Sequence, residues 1–231
     1  MSNASESGVE AAETPAARLS VIAGDLFRGG PLLLRTLQRY RPFICPFEDL
    51  VSAVPRGATI LDIGCGGGLF LGLLAAEGRI SSGLGFDSSR PAIAVAQQMA
   101  RLLADKRGEA TLEFRCLSVQ DPMPEGSFDV VSIIDVMHHV PLAARKTVFQ
   151  EAVSRLKPNG ILLYKDVVEV PLWRSWANKL HDLILARQWI HNIPVADVEK
   201  WAKELHLTTL DSRTINRYWY GHELRVFART G

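Results

Sequence analysis

Thr59-Ile60-Leu61-Asp62-Ile63-Gly64-Cys65-Gly66-Gly67-Gly68-Leu69-Phe70 is the stretch whose reading decides the fold of this chain. The apolar run Thr59 to Ile63 reads as a buried parallel strand; glycines interrupt it, and the apolar segment Leu69 to Ala76 reads as a helix. Glycines suit such a strand–turn–helix junction because the backbone turns sharply there, adopts positive φ and lets a ligand approach without a Cβ in the way. The free N–H groups at the start of the helix then point at that ligand.

Several ligand classes use glycine-rich turns, and spacing separates them. The dinucleotide pattern G-x-G-x-x-G/A, begun at Gly64 and Gly66, needs glycine or alanine where this chain has Leu69, which weakens a nicotinamide reading. A phosphate-cradling loop needs Lys-Ser or Lys-Thr after the glycines, and neither follows. What remains is acid-x-Gly-x-Gly-x-Gly, with Asp62, Gly64, Gly66 and Gly68. A second short strand, Ser82 to Asp87, ends in a carboxylate about twenty residues beyond the turn, the usual place for an acid that accepts hydrogen bonds from ribose hydroxyls. The helix after it, Pro91 to Lys106, opens with Ser88, Ser89 and Pro91, so capping that helix is the alternative role for Asp87.

The βα alternation continues, and it predicts a mainly parallel sheet with helices on both faces. Leu112 to Leu117 reads as the third strand, Phe128 to Ile134 as the fourth and Ile161 to Val167 as the fifth, with a helix over Leu142 to Leu156 and a turn at Lys157 to Gly160. In such sheets ligands sit beyond the carboxyl ends of the strands, so Asp87, Ser118, Asp135 and Lys165 are expected to gather there. Thr208 to Asn216 and His222 to Ala228 read as a closing hairpin with the last strand antiparallel. The sixth strand is expected to run parallel to its neighbours, which puts the hairpin tip, from Arg217 to His222, on the ligand side.

Flanking this core are helical segments. Leu19 to Phe27, Pro31 to Tyr40 and Pro46 to Val54 form a helical preface whose aromatic and basic residues either pack on the sheet or line an entrance. Leu172 to Ile190 carries apolar residues on more than one side, which suits core packing, a second subunit or a membrane surface. Val195 to Leu205 returns the chain to the sheet. Residues 1–15 are rich in Ser, Ala and Glu and read as a disordered tail, with 16–231 as one domain: a cap at 16–54, the core at 57–167, a helical substrate segment at 168–206 and the hairpin at 207–231.

A chain of 231 residues with 47% apolar content can bury one large core. Its 26 basic and 25 acidic residues give a net charge of +1, without the broad basic footprint of a nucleic-acid binder. Cys45, Cys65 and Cys116 lie apart, with no zinc spacing, and point to a reducing, cytoplasmic setting. No apolar run approaches the ~18 residues of a membrane span, and the N-terminus does not read as a signal peptide.

Taken together, the glycine motif, the acid after strand two, and Phe128-Asp129 followed by a strand and His138-His139 resemble the class I S-adenosylmethionine (SAM) dependent methyltransferases, in particular their ubiquinone/menaquinone-type branch. The resemblance covers positions from about 57 to 167. It implies a Rossmann-like, seven-stranded, mostly parallel sheet with an antiparallel last strand, and methyl transfer from SAM, with S-adenosylhomocysteine as product. The expected acceptor is a small, fairly apolar phenolic, acyl or lipid-like molecule methylated on oxygen, carbon or nitrogen. By the same resemblance Asp62, Gly64, Cys65, Gly66, Gly68, Asp87 and Ser88 hold the cofactor, Asp135 lies near its methionine part, and Ser118 and Val119 take the adenine side, where the family usually has an acid. His138 or His139 is the expected general base, with Lys165 and His222 behind them; packing or capping is the plainer role for the histidines. Two other functions stay open: a SAM-binding enzyme of different chemistry, and a catalytically silent SAM-binding regulatory or scaffold subunit. The expected partner is a small-molecule acceptor, with peripheral membrane or homodimer contact through 172–190, and no metal site is inferred.

Overall fold

The computed structural model describes residues 14–104, 110–167, 193–218 and 220–230. Residues 1–13 of the tail expected at 1–15, the helix expected over Leu172 to Ile190 and Trp219 lie outside the described residues, while Thr14 and Pro15 are ordered as the cap and first residue of a helix. The core strands are β1 (Ala58–Ile63), β2 (Ile80–Asp87), β3 (Thr111–Cys116), β4 (Phe128–Ile134), β5 (Leu156–Val167), β6 (Leu207–Arg217) and β7 (Tyr220–Arg229). They form one seven-stranded sheet in the order β3-β2-β1-β4-β5-β7-β6. The first five pair in parallel, and β7 pairs antiparallel with both β5 and β6. This is the Rossmann-like class I arrangement expected from the sequence.

Two details differ from that expectation. β6 lies at the sheet edge and pairs with β7 alone, so it has no parallel neighbour; β7 is inserted between it and β5. The hairpin tip still falls beyond the carboxyl end of β5, because Val167 pairs with His222. Second, the turn at Lys157 to Gly160 does not precede β5 but bulges out of it. Leu156 pairs with Phe128 before the bulge and Ile161 with Val130 after it. Asn159 supplies positive φ there, and a Cβ at Gly160 would meet the carbonyl oxygens of Lys157, Asp129 and Phe128 at 3.0–3.1 Å. The Phe-Asp pair that helped identify the fourth strand has a structural task beside this bulge. Asp129 Oδ2 accepts hydrogen bonds from the N–H of Thr59 at 2.8 Å, its hydroxyl at 2.7 Å and the Lys157 ammonium at 3.0 Å, joining β1, β4 and β5 at their amino ends.

Helices cover both faces, as parallel strands require. On one side stand α1 (Pro15–Leu26), α2 (Leu32–Ile44), α3 (Phe47–Ala53), α4 (Leu69–Ala76) and α5 (Arg90–Ala104), with Leu19, Phe27, Phe47, Leu50 and Phe70 buried in one cluster. On the other stand α6 (Leu142–Ser154) and α7 (Val195–Glu204), with Phe149, Tyr164, Val198 and Phe227 in a second cluster. α1 begins four residues earlier than its apolar pattern suggests, because Pro15 sits at the first turn and the Thr14 hydroxyl accepts from the N–H of Ala17 at 3.3 Å. α2 runs through Pro42 to Ile44 and closes with Cys45 N–H donating to the Arg41 carbonyl at 2.9 Å. The preface thus divides its residues: Phe27 and Phe47 pack in the core, while Arg39 and Tyr40 remain exposed. Arg213 to Asp49 at 2.7 Å, and the pair Arg217 with Glu48, fasten α3 to β6.

Burial sets the cost of loosening this cap. Leu50 is fully buried where α3 meets the sheet-side cluster, so Leu50→Ala is expected to lower unfolding free energy by about 3 kcal/mol, read by urea denaturation.

Candidate active site

β1 ends in Ile63, and the turn from Gly64 to Gly68 follows with Gly64, Gly66 and Gly68 all at positive φ. Each glycine has a different reason. A Cβ on Gly64 would stand 2.4 Å from Cγ2 of Val136, and one on Gly68 would stand 2.8 Å from the Phe114 ring, so both are crowded from beneath. Gly66 has nothing within 4 Å of that position and faces open space. It is therefore the point at which a ligand can meet bare backbone. The Gly66 N–H donates to Asp87 Oδ2 at 3.0 Å, and Ser89 N–H donates to Asp87 Oδ1 at 2.8 Å, which fixes the half-buried carboxylate between the turn and the start of α5. Asp87 thus caps the start of α5 and faces the turn with one side chain. Ser88 is exposed beside it.

Other predicted cofactor residues sit deeper. Asp62 is buried and accepts from the Ser132 hydroxyl at 2.6 Å, tying β1 to β4 under the turn. Burial pushes its carboxyl up to about 7, with the Ser132 hydrogen bond working against that rise and the Asp87 charge adding to it. Cys65 is buried against Gly85, and burial raises its thiol pKa strongly. Ser118 and Val119 lie past the end of β3 in a turn closed by Asp121, whose Oδ2 accepts from Ser118 N–H at 2.8 Å. Asp121 is accordingly a turn former, and Val119 leans on the second core cluster.

Beyond β4 the chain bends through Asp135 at φ +57° into a short 3-10 turn, Met137–His139. The adjacent residues Lys165 and Asp166 of β5 point to opposite faces of the sheet, as strand geometry demands. They build two separate clusters. On the cap side Lys165, 1% exposed, holds both oxygens of Asp135 at 2.6 and 2.7 Å, and Arg41 of α2 approaches the same carboxylate at 3.7 Å. Burial opposes ionisation of Asp135, but the charges of Lys165 and Arg41 outweigh it and hold its pKa at about 2. Burial likewise disfavours the Lys165 ammonium, and Asp135 more than compensates, so the lysine stays charged. A charged, buried lysine cannot serve as a base. His222 faces this cluster from β7, and its Nε2 donates to the Ile44 carbonyl at 2.7 Å. Burial, then the Lys165 charge, depress its pKa to about 4, so near neutral pH it is an uncharged donor to the cap.

On the opposite face His138 Nδ1 lies 2.5 Å from Asp166 Oδ1, both side chains being buried. The Tyr164 hydroxyl donates to Asp166 Oδ2 at 3.5 Å, and Arg145 secures the loop through the carbonyls of Val140 at 2.9 Å and His138 at 3.5 Å. The His139 ring lies 4.1 Å from that of His138 and is exposed. The structure thus brings His138 and His139 together, and Lys165 with Asp135 and His222, on two sides of β4 and β5. Asp166 is a member of the site that the sequence motifs do not mark. A signal for it exists: Tyr164-Lys165-Asp166 places three polar side chains at the end of an otherwise apolar strand. At the hairpin tip, Arg217 is paired with Glu48, and Tyr218 is exposed at φ +54°.

Residues 61–164 match the family model described as a methyltransferase domain. The glycine turn, Asp87 and the exit from β4 all fall inside that match. Around those residues the chain has the class I SAM-dependent methyltransferase fold. It is 29% identical over 171 residues to a ubiquinone biosynthesis O-methyltransferase of Neisseria meningitidis, covering 73% of this chain and 66% of that protein. The chain spans 55% to 66% of the length of such relatives. Among solved structures, an O-methyltransferase family protein from Burkholderia thailandensis superposes with a TM-score of 0.67 at 19% identity, covering 85% of this chain and 59% of that one. Magnesium protoporphyrin IX methyltransferase of Synechocystis PCC 6803, with bound SAM, gives 0.63 at 18% identity over 92% and 90%. At these identities the structural likeness speaks for the methyltransferase fold.

Two measurements test this arrangement. Gly64→Ala should cost about 3 kcal/mol of stability because the turn must separate from Val136, whereas Gly66→Ala should cost only about 1 kcal/mol of backbone strain; equal losses on chemical denaturation would contradict the packing of the turn against Val136. For His222 the folded pKa is depressed below the unfolded value, so the unfolded chain binds the proton first. Stability is fully present above about pH 6.5 and should fall by on the order of 2 kcal/mol between there and pH 4, a slope that His222→Gln should flatten in denaturation curves.

Proposed function

We propose that this chain transfers a methyl group from SAM to a small, fairly apolar acceptor, with a phenolic hydroxyl as the favoured nucleophile. The observation that carries the acceptor chemistry is the His138–Asp166 pair at the carboxyl end of the sheet. With Nδ1 held toward a carboxylate, the imidazole takes the tautomer in which Nε2 is the basic atom. A hydroxyl must lose its proton on methylation, and that nitrogen can receive it. Similarity to the Neisseria protein, an O-methyltransferase, supports the same choice.

The residues present fit the cofactor. Gly66 offers Cβ-free backbone over open space, and Asp87, half-buried and pinned at both oxygens, stands at the end of the neighbouring strand. Gly64, Gly68, Cys65 and Asp62 would shape the turn beneath it, Asp87 with Ser88 would receive the ribose, Ser118 and Val119 the adenine, and Asp135 the methionine part. When bound, SAM supplies an electrophilic methyl on a sulfonium and departs as the neutral thioether S-adenosylhomocysteine. The protein's work is then to align acceptor with methyl and to exclude water. Asp166 orients His138, and His138 accepts the acceptor's proton. The Lys165–Asp135–Arg41 cluster keeps the cap closed over the strand ends, and His222 joins it through the Ile44 carbonyl.

Calorimetric titration with S-adenosylhomocysteine, with NADH as control, tests the cofactor: binding of the first alone is expected, and Asp87→Ala should weaken it about tenfold or more. Given that binding, His138→Ala should lower kcat with phenolic acceptors by about a hundredfold or more while leaving S-adenosylhomocysteine affinity unchanged. Asp166→Asn should shift the pH–rate profile. Full turnover by the histidine variant would remove the proposed base, and binding without any methyl transfer would point to a regulatory subunit.

A further inference from the structure

α2 has an unusual surface. Among the described residues, four of the eight exposed large apolar side chains sit on this one helix: Leu32 at 78%, Leu33 at 72%, Tyr40 at 61% and Leu37 at 46% exposure. Leu33, Leu37 and Tyr40 follow i, i+4, i+7 spacing and share one side. The opposite side turns inward: Pro42 is buried, and the Gln38 amide lies 3.6 Å from the Cβ position of Gly67 in the glycine turn. A cleft of about 780 Å³ between α1 and α2 adjoins this face, its walls mixing Val21, Leu32 and Phe43 with Arg35, Thr36 and Arg39.

Along α2 and the residues on either side of it in sequence, the charges have one sign. From Leu26 to Phe47 the chain contains Arg28, Arg35, Arg39 and Arg41 and no acidic residue, although the whole protein carries a net charge of only +1. Arg39 borders the apolar side toward α1 and lies across Gly24, while Arg35, nearer the inner side, donates through Nε to the Gly24 carbonyl at 3.2 Å. Arg41 lies on the other border, near Asp135. An outward apolar face edged by arginine matches the amphipathic helices that lie in a membrane interface. A second copy docked face to face about a two-fold axis would set arginine against arginine, which disfavours self-association through this face.

We propose that α2 is a docking surface for an anionic lipid bilayer, inserting Leu32, Leu33, Leu37 and Tyr40 at the headgroup level with its arginines among the lipid charges. Because its inner side touches the glycine turn, docking through α2 would hold the candidate active site at the lipid surface. This inference stands apart from the proposed methyl transfer, since it rests on α2 and is tested without cofactor or turnover.

The test is co-sedimentation of the full chain with vesicles of phosphatidylcholine alone or mixed with phosphatidylglycerol. Partition onto the mixed vesicles should exceed that onto phosphatidylcholine by about tenfold or more at low ionic strength, and should collapse near 1 M salt, where screening shortens to about 3 Å. Leu33→Glu/Leu37→Glu should abolish binding, and Arg28→Gln/Arg39→Gln should lower it about 25-fold, at roughly fivefold per charge. Thermal unfolding shows whether each variant is folded; wild-type lipid selectivity and salt sensitivity decide the matter even if one is not. No vesicle binding by the wild type, equal binding to both vesicle types, or full binding by the folded leucine variant would overturn the proposal. So would a concentration-dependent dimer that the leucine variant abolishes, since the face would then be a protein interface.

Discussion

The turn between β1 and α4 is squeezed from three directions, and the rest of the site is arranged by that crowding. Val136 fills the space where Gly64 would carry a Cβ, Phe114 does the same for Gly68, and Cys65 presses against Gly85 of the neighbouring strand. The turn is therefore locked to β2, β3 and the exit of β4 at once, and protein interiors packed to this density deform little. Only Gly66 is left facing open space. The same packing that makes the turn rigid thus selects one peptide for ligand contact, with Asp87 anchored beside it.

Charge does for the other half of the sheet edge what packing does for the turn. Lys165 and Asp135 are a buried, closely spaced pair, and such pairs add little net stability while making the loss of either partner costly. Their value here is positional. Asp135 occupies a left-handed backbone conformation at the bend out of β4, and the contacts to Lys165 and Arg41 hold it there and draw α2 over the strand ends. His222 closes the same corner through the Ile44 carbonyl. One residue along β5, the alternation of the strand sends Asp166 to the other face, where it engages His138. A single strand end therefore supports a charged structural cluster on one side and a candidate acid–base pair on the other.

α2 connects these two themes to the outside of the molecule. Its inner residues meet the glycine turn and the Asp135 corner, while its outer residues leave leucine and tyrosine in solvent between arginines. A helix stabilised mainly by one side of contacts has freedom to use the other, and here that other side carries groups that water does not favour.

Much of this protein was determined by short-range sequence signals. The apolar run into Gly64, the carboxylate at Asp87 and the Phe128-Asp129 strand fixed the order of the core elements, because hydrophobic periodicity and glycine placement report local backbone geometry directly. α4 and β4 have the boundaries their patterns predict. What the sequence could not reveal was which side chains meet across distance. Lys165 and His222 looked like members of one catalytic group with His138; only the pleat of β5 and the insertion of β7 between β5 and β6 decided that they belong to the opposite face. Asp166 gained its partner the same way, 28 residues away in sequence. Local composition can specify a turn, but a pairing between distant residues exists only once the sheet has set strand order, register and face.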